Sequence, residues 1–229
     1  MMNCPDDTVI KPKKRNKKKC IYMAVPAPAP APKITGLEQP LPVVGPQFCM
    51  SYDVELTVTE KIICKDGDSD VTDANGNVVL KLKGRLLGIH QKRWLCDASG
   101  AIIVTMQQKI RSVHSRWNMY RGDSTNQSDL ICTIKTPNLI QIKPEFDVFY
   151  AGNTSEQHCD FKVKKGYNNQ NMTIYLGKTD KVVAQIYVRE NMKTMMLQQD
   201  SYGLTIYTNM DYAFVVAMAS ILDSLFTED

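Results

Sequence analysis

The 229-residue sequence lacks the patterns that mark metal, redox and catalytic sites. Its seven cysteines are scattered and odd in number, and none forms the Cys-x-x-Cys pair that holds zinc or a redox-active disulfide. No Gly-rich phosphate loop and no Ser or Cys nucleophile elbow is present. We therefore expect reduced thiols, no metal ion, no cofactor and no enzymatic activity.

The sequence also lacks a hydrophobic run of the roughly 20 residues needed to cross a bilayer. The basic run near its start is not followed by an apolar segment, because residues 24–32 alternate Ala or Val with Pro, and this pattern excludes a secretory signal. Neither end carries a myristoylation or prenylation motif. These absences predict an intracellular protein, in the cytoplasm, at the inner face of the plasma membrane or in the nucleus.

Positive charge is concentrated near the N-terminus, and this run is the first candidate functional site. The chain has a net charge of +4, but residues 1–20 alone carry +5 and the remainder is close to neutral. Three interpretations stay open: a nuclear localisation signal, a tether to anionic phospholipid, or a solubilising extension. Cys4 and Cys20 are placed to accept palmitate as a second anchor. The basic residues are Lys11, Lys13, Lys14, Arg15, Lys17, Lys18 and Lys19.

Composition divides the chain into a tail at 1–46 and a folded domain at 47–229. The tail combines the basic run with an Ala-Pro repeat beginning at Val25 and further prolines at 40, 42 and 46. Such a segment cannot bury enough apolar surface to offset the entropy of ordering its backbone, so we expect disorder with an extended Ala-Pro spacer.

The folded domain has the alternating pattern of β-strands. Tyr52, Val54, Leu56 and Val58 alternate with polar residues, and later segments are short, rich in β-branched or aromatic residues and separated by Gly, Asn or Asp. The spacing leaves no room for βαβ crossovers and predicts an antiparallel meander. The further predicted strands are 78–82, 102–106, 130–134, 139–142, 146–150, 159–163, 172–176, 182–188 and 204–207.

An internal repeat supports the meander. Asp73-Ala-Asn-Gly-Asn-Val-Val-Leu and Asp97-Ala-Ser-Gly-Ala-Ile-Ile-Val align at an offset of 24, and each predicts a tight turn that leads into a strand. Asn75-Gly76 is a strong hairpin signal because both residues tolerate positive φ. The same offset aligns His90 with His114, each followed by an Arg-Trp pair.

One helix is predicted, at about 211–225, with Asp211 as its N-cap. The run from Tyr212 to Leu222 has no polar face and is too short to span a membrane, so it must be enclosed by protein. We expect a closed antiparallel β-barrel around this helix. The predicted core residues of the helix are Tyr212, Phe214, Val215, Val216, Met218, Ile221 and Leu222.

Three other features were weighed as sites and favour structural roles. Asp66-Gly-Asp68-Ser-Asp70 begins like an EF-hand loop, but Val71 stands where glycine is needed and Asn77 where a bidentate Glu is needed. His90, His114 and His158 with Cys159 suggest a nucleophilic or metal site, although repeated packing positions explain the first two better. Trp94 and Trp117 are predicted to lie on strands, where each is a core residue, a residue at the rim of the barrel or part of a surface that faces a ligand.

Five segments resemble the plant LURP-one-related proteins, and they lie in order from about residue 48 to the C-terminus. They are Val71-Thr-Asp-Ala-Asn-Gly-Asn, Leu87-Gly-Ile-His-Gln-Lys-Arg-Trp, Ser115-Arg-Trp-Asn-Met-Tyr-Arg-Gly, Cys159-Asp-Phe-Lys-Val-Lys-Lys-Gly and Asp211-Tyr-Ala-Phe-Val. The resemblance implies a tubby-like C-terminal fold, with about twelve antiparallel strands around a central apolar helix, shared with tubby proteins and phospholipid scramblases.

The resemblance also implies a class of function. Tubby domains bind phosphoinositides, and the LURP-one-related group is associated with plant defence. We therefore expect a non-enzymatic binding or regulatory protein, linked to defence, whose partner is an anionic phospholipid or a protein. The alternative is a nuclear or transcription-associated regulator that uses the basic tail as its import signal. No specific nucleic-acid motif is present, and no lipid-binding residue of the tubby proteins maps onto a position here.

Overall fold

A computed structural model describes residues 36–61, 68–85, 91–109, 116–135, 145–166, 171–188 and 201–226, apart from the side chains of 85, 188 and 224–226. Most of these residues lie on twelve β-strands. The strands are β1 Val54–Glu60, β2 Ser69–Thr72, β3 Val78–Arg85, β4 Lys92–Asp97, β5 Ile102–Lys109, β6 Arg116–Arg121, β7 Leu130–Lys135, β8 Glu145–Tyr150, β9 Phe161–Lys165, β10 Asn171–Leu176, β11 Val182–Val188 and β12 Ser201–Ile206.

The strands form one closed antiparallel barrel. Each strand pairs with its neighbours in the sequence, and β1 pairs with β12 to close the wall, with Val54 opposite Ile206. Apolar residues alternate inward along the strands because successive side chains point to opposite faces of the sheet. The predicted twelve-stranded antiparallel barrel is confirmed.

Helix α1, Tyr212–Phe226, occupies the barrel. Each residue from Ala213 to Leu222 is at most 1% exposed, whereas Tyr212 is partly exposed. The ring of Phe214 packs against Phe161 of β9 with their centroids 5.0 Å apart. Burying one such apolar side chain contributes about 1.5 to 3 kcal/mol, so the helix is the main apolar core of the fold. No helix among the described residues is long and apolar enough to cross a membrane.

The two turns of the sequence repeat have the same structure. The Oδ1 atoms of Asp73 and Asp97 each accept hydrogen bonds from backbone N–H groups two to four residues ahead. In each turn only the glycine, Gly76 or Gly100, takes the positive φ. The turn predicted at Asn75-Gly76 is present between β2 and β3, and a single left-handed residue suffices because the loop is longer than a two-residue hairpin.

The structure moves the boundary of the folded domain. Residues 36–46 were assigned to the disordered tail, but residues 36–50, here called the N-terminal strap, pack against the barrel and the start of α1. Leu37 donates a hydrogen bond to the Thr208 carbonyl and Leu41 to the Asn209 carbonyl. Val43 and Val44 are buried because they complete the apolar core at the end of the barrel where α1 begins.

Several predicted features lie outside the described residues, including the basic residues 11–19 and the strand at 139–142. Strand β2 was missed because its four residues carry only one apolar side chain, Val71. Strands β4 and β6 were not delimited either, although Trp94 and Trp117, which lie on them, were expected on strands. The remaining predicted strands correspond to observed ones within a few residues of their ends.

Candidate functional site

The barrel interior is occupied by protein, so a ligand must meet the outer surface or the ends. Wall residues such as Leu95, Val104 and Ile174 are fully buried against α1. The candidate core residues Phe214, Val215, Val216, Met218, Ile221 and Leu222 all have no exposed surface.

Two arginines at opposite ends of the barrel are committed to the fold. Arg93 donates to the carbonyl oxygen of Ser220 at 2.9 Å, near the C-terminal end of α1. Arg121 donates to the carbonyl oxygens of Val43 and Val44 in the strap. Both guanidinium groups therefore satisfy backbone acceptors of the core helix or the strap.

The outward strand positions of β3–β6 hold positive charge alone, and the acidic partners on this face, Asp123 and Glu156, come from loops. By the strand alternation, Lys81 and Lys83 point outward from β3, Lys92 from β4, Lys109 from β5 and Arg116 from β6. No outward position of these four strands holds Asp or Glu. We call these five residues, together with Trp94 on the outer face of β4, the basic sector.

Two lysines of the basic sector have no counter-charge. Lys83 and Lys109 are exposed, and neither has an ion pair or hydrogen bond with a described residue. Lys81 donates to the Ala98 carbonyl, and Arg116 pairs with Glu156 at 3.0 Å. The free cations therefore lie on β3 and β5, on either side of β4.

Trp94 lies beside Lys83 across the β3–β4 pair and is held in place. Its indole N–H donates to Asp123 Oδ1 at 3.3 Å, and the Lys92 ammonium lies 4.9 Å from the indole ring centroid. The same ammonium is 3.7 Å from Asp123 Oδ1. The result is a partly exposed, oriented aromatic ring within a cationic surface, which is a combination suited to a membrane–water interface. Trp117, by contrast, is a core residue with no exposed surface.

A second feature lies on the outer face of β8–β10. A groove of about 270 Å³ is lined by Glu145, Lys164, Lys165, Gly166, Thr173 and Tyr175, and we call it the β9 groove. The ammonium of Lys164 lies 5.1 Å from the Tyr175 ring centroid. This groove was not predicted, because its members come from three separate strands.

The buried thiols that the structure describes are not activated for catalysis. Burial raises the pKa of Cys132, Cys159 and Cys96, so these groups stay protonated at neutral pH. His158 is exposed while the adjacent Cys159 is buried. His90 and His114 lie outside the described residues. Where side chains are described, the structure therefore gives the nucleophilic interpretation no support.

The acidic segment after residue 65 has protein partners in place of a metal. Asp68 Oδ1 accepts a hydrogen bond from the Gly84 N–H at 3.2 Å, and Asp70 pairs with Lys61 at 2.8 Å. Asp66 lies outside the described residues. Among the side chains that the structure describes, no three His, Cys, Asp or Glu residues are grouped to hold a metal ion.

The comparison with known protein families agrees with this architecture. The sequence model of the family described as LURP-one-related matches residues 54–223, which include all twelve strands and most of α1. The chain belongs to the LURP-one-related family. The match begins at Val54, after the N-terminal strap.

Individual LURP-one-related proteins of Arabidopsis thaliana are similar over most of their length. Protein LURP-one-related 15 is 37% identical over 205 residues, covering 89% of this chain and 92% of that protein. Protein LURP-one-related 10 is 40% identical, covering 82% and 97%. Protein LURP1 is 34% identical, covering 81% and 90%.

A solved structure shares the fold. The X-ray structure of a protein from Arabidopsis thaliana aligns with a TM-score of 0.62 and 34% sequence identity, covering 80% of this chain and 98% of that chain.

Proposed function

We propose that this LURP-one-related protein is a non-enzymatic binding and regulatory protein that associates with anionic phospholipids, phosphoinositides included, and that it serves in plant defence. The observation that carries the lipid proposal is the basic sector, with five outward cations and no outward carboxylate on four adjacent strands. The defence role follows from the family resemblance.

The basic sector has the chemistry of a membrane-facing surface. A basic residue close to an anionic membrane contributes about 1 kcal/mol, so a few free lysines give weak and salt-sensitive binding. Trp94 adds an oriented ring that can enter the headgroup region. Such a surface holds a protein at a membrane reversibly, without a membrane-spanning segment.

The basic run at Lys11–Lys19 is proposed as a second electrostatic contact. Stable peripheral binding usually needs two signals, and a polybasic segment is a common second one. Under this proposal the protein is found in the cytoplasm and at the inner face of the plasma membrane.

Vesicle co-sedimentation tests the proposal. The full chain and a chain starting at Gly36 are each mixed with phosphatidylcholine vesicles containing phosphatidylserine or a phosphoinositide, at physiological salt. We expect both to bind, the shorter chain more weakly. The double substitution Lys83→Gln/Lys109→Gln should weaken binding, whereas Lys178→Gln/Lys181→Gln, which removes equal charge from the β10–β11 turn, should not. Absence of binding by either chain would refute the proposal.

The second candidate function is that of a nuclear regulator, and it rests on the same Lys11–Lys19 run as an import signal. A fluorescent fusion of the full chain tests it in plant cells. We expect nuclear signal that is lost when Lys13, Lys14, Arg15, Lys17, Lys18 and Lys19 are changed to Ala. A distribution that those changes leave unaltered would count against this function.

A further inference from the structure

We propose that the β9 groove is a binding site for the phosphate group of a small phosphomonoester. The site is separate from the basic sector: Lys164 on β9 is three strands from Arg116 on β6, the nearest member of the sector, or about 14 Å around the wall at about 4.8 Å per strand. A small ligand cannot contact both. The inference therefore does not depend on the proposed function, and the two can fail independently.

The two carboxylates beside the groove share one ammonium, which offsets half of their charge. Lys162 donates a hydrogen bond to Glu145 Oε2 at 3.1 Å, and its ammonium forms an ion pair with Asp147 Oδ1 at 2.8 Å, so one ammonium contacts both acids. Burial alone would lower the pKa of Lys162, but its contacts with these two carboxylates raise it, and the ammonium stays charged. Glu145, on the wall of the groove, is therefore paired with Lys162, and this pairing reduces its repulsion toward an incoming anion.

Lys164 is the cation that faces the groove without a carboxylate of its own among the described ion pairs. It stands opposite Glu145 on β8 and Thr173 on β10. The Tyr175 ring lies beneath its ammonium at 5.1 Å, which fixes the direction of the charge while leaving its N–H donors available to a ligand. An ammonium placed in this way is a point-charge binder for a phosphate oxygen.

A pair of hydroxyl groups adds a neutral donor. Thr173 and Tyr175 both line the groove and their side chains hydrogen-bond to each other, while burial raises the pKa of the Tyr175 phenol, so it stays protonated at neutral pH. The backbone N–H of Gly166 is taken by the Asn171 carbonyl at 2.7 Å. The donors of the site are therefore side chains: the Lys164 ammonium and the hydroxyl pair of Thr173 and Tyr175, with Lys165, which has a contact of its own, at the rim.

The size of the groove limits the ligand. Its volume of about 270 Å³ is below the range of about 300 to 1,000 Å³ typical of sites for drug-sized ligands. A phosphate on a sugar or an inositol ring is of suitable size, and the open side of the groove leaves room for the rest of the molecule. The phosphate is the part that the lining residues recognise.

NMR titration of the full-length protein with inorganic phosphate tests the site directly. We expect saturable amide shifts centred on Gly166, Thr173 and Tyr175. Lys164→Gln should weaken binding about tenfold, as expected for loss of a charge-assisted hydrogen bond, and Tyr175→Phe by less. Lys178→Gln removes a lysine from the neighbouring turn and should leave binding unchanged. Shifts that are absent, scattered over the surface, or equal in Lys164→Gln and the parent protein would overturn the proposal.

A second titration separates the two sources of phosphate. Soluble inositol trisphosphate and vesicles containing the corresponding phosphoinositide are compared with the parent protein, Lys164→Gln and Lys83→Gln/Lys109→Gln. If the groove takes a soluble ligand, Lys164→Gln weakens inositol trisphosphate binding but not vesicle binding; if it takes a lipid headgroup, it weakens both. Inositol trisphosphate binding that is lost only in Lys83→Gln/Lys109→Gln would place the phosphate on the basic sector and refute the groove.

Discussion

The Asp211 carboxylate lies 2.7 Å from the backbone nitrogen of Val44, a residue 167 positions away in the sequence. The same Oδ2 atom also accepts hydrogen bonds from the N–H groups of Val43 and Gly45, and Oδ1 accepts one from Phe214. One fully buried carboxylate thus caps the N-terminus of α1 and holds the N-terminal strap. The start of the core helix and the start of the folded domain are stabilised by a single side chain.

Asp211→Asn should be among the more destabilising conservative substitutions in the protein. An amide offers one acceptor oxygen, and its NH₂ group faces buried N–H groups that then lose their partners. We expect a loss of about 3 kcal/mol in the free energy of unfolding, measured by urea denaturation. Asp180→Asn, on an exposed turn, serves as the control and should change stability by less than about 0.5 kcal/mol. Equal stability of the two variants would show that the Asp211 contacts contribute little.

Truncation should show that the strap belongs to the domain. A chain starting at Gly36 keeps every described strap contact, so we expect a melting temperature close to that of the full chain. A chain starting at Ser51 leaves Asp211 Oδ2 without its three N–H donors and uncovers the apolar surface beneath Val43, Val44 and Phe48. We expect it to be unfolded or strongly destabilised in circular dichroism melts. A Ser51 chain as stable as the Gly36 chain would contradict this role.

The strap also shows where sequence reasoning stops. The Asp211 N-cap could be predicted, because Asp before an apolar run is a local signal. Its second role could not, since the partners are backbone N–H groups in a Pro-rich segment whose composition favours disorder. Because almost every residue type has a backbone N–H group, the residue types of the strap do not show that a distant carboxylate binds its backbone.

Gly203→Ala should be destabilising because the added methyl group would clash with the ring of Tyr187. A Cβ at Gly203 would lie 2.4 Å from Cε2 of Tyr187, whose ring lies across the glycine and whose hydroxyl donates to Glu55 Oε2 at 2.9 Å. We expect a loss of about 1 to 2 kcal/mol on urea denaturation, as for other overpacked sites.

A double-substitution cycle identifies the cause of that loss. In a Tyr187→Ala background the ring is absent, so Gly203→Ala should cost little, with a coupling of about 1 kcal/mol between the two sites. Additive effects would instead assign the cost of Gly203→Ala to the backbone.

Val216→Asp should unfold the domain. The side chain of Val216 has no exposed surface and lies among apolar residues of α1 and the barrel wall, so the new carboxylate would be buried without a partner. We expect loss of near-ultraviolet circular dichroism and of the cooperative melt. Val78→Asp, at a site that is 38% exposed, is the matched control and should fold normally. A folded Val216→Asp protein would mean that α1 can leave the barrel.

Acid should weaken the protein partly through the repeated turns. A hydrogen bond from the Asn77 side chain holds the pKa of Asp73 below its ordinary value of 3.8, and one from Ser99 does the same for Asp97. Because the folded-state pKa values are depressed, both groups contribute stability above the unfolded value, and that contribution is lost as pH falls through the folded value. Urea midpoints should therefore decrease below about pH 4, and less steeply in Asp97→Ala. A carbon-13 NMR titration that gives either carboxyl a pKa of 3.8 or higher would contradict the mechanism.

The barrel was predictable and the basic sector was not. The alternation of Leu80, Lys81, Leu82 and Lys83 indicates a strand from the sequence alone. The net charge of the folded domain is close to zero, so it gives no sign of a charged surface. The sector forms only because the register sets Lys83 beside Trp94 and Lys109 beside Arg116. Register is a property of paired strands, so four lysines and an arginine spread over 36 positions of sequence look like ordinary solvated charges until pairing is known.

The strand order has a consequence for how the protein is made. Eleven of the twelve strand pairings join sequence neighbours and can form as the chain is synthesised, but the wall closes only when β1 meets β12, and α1 follows β12 directly. The growing sheet must therefore remain open, with a free edge and an unfilled apolar face, until the last residues emerge. An open sheet of this kind is prone to pair with other chains, so the nascent protein depends on rapid completion or on chaperone protection.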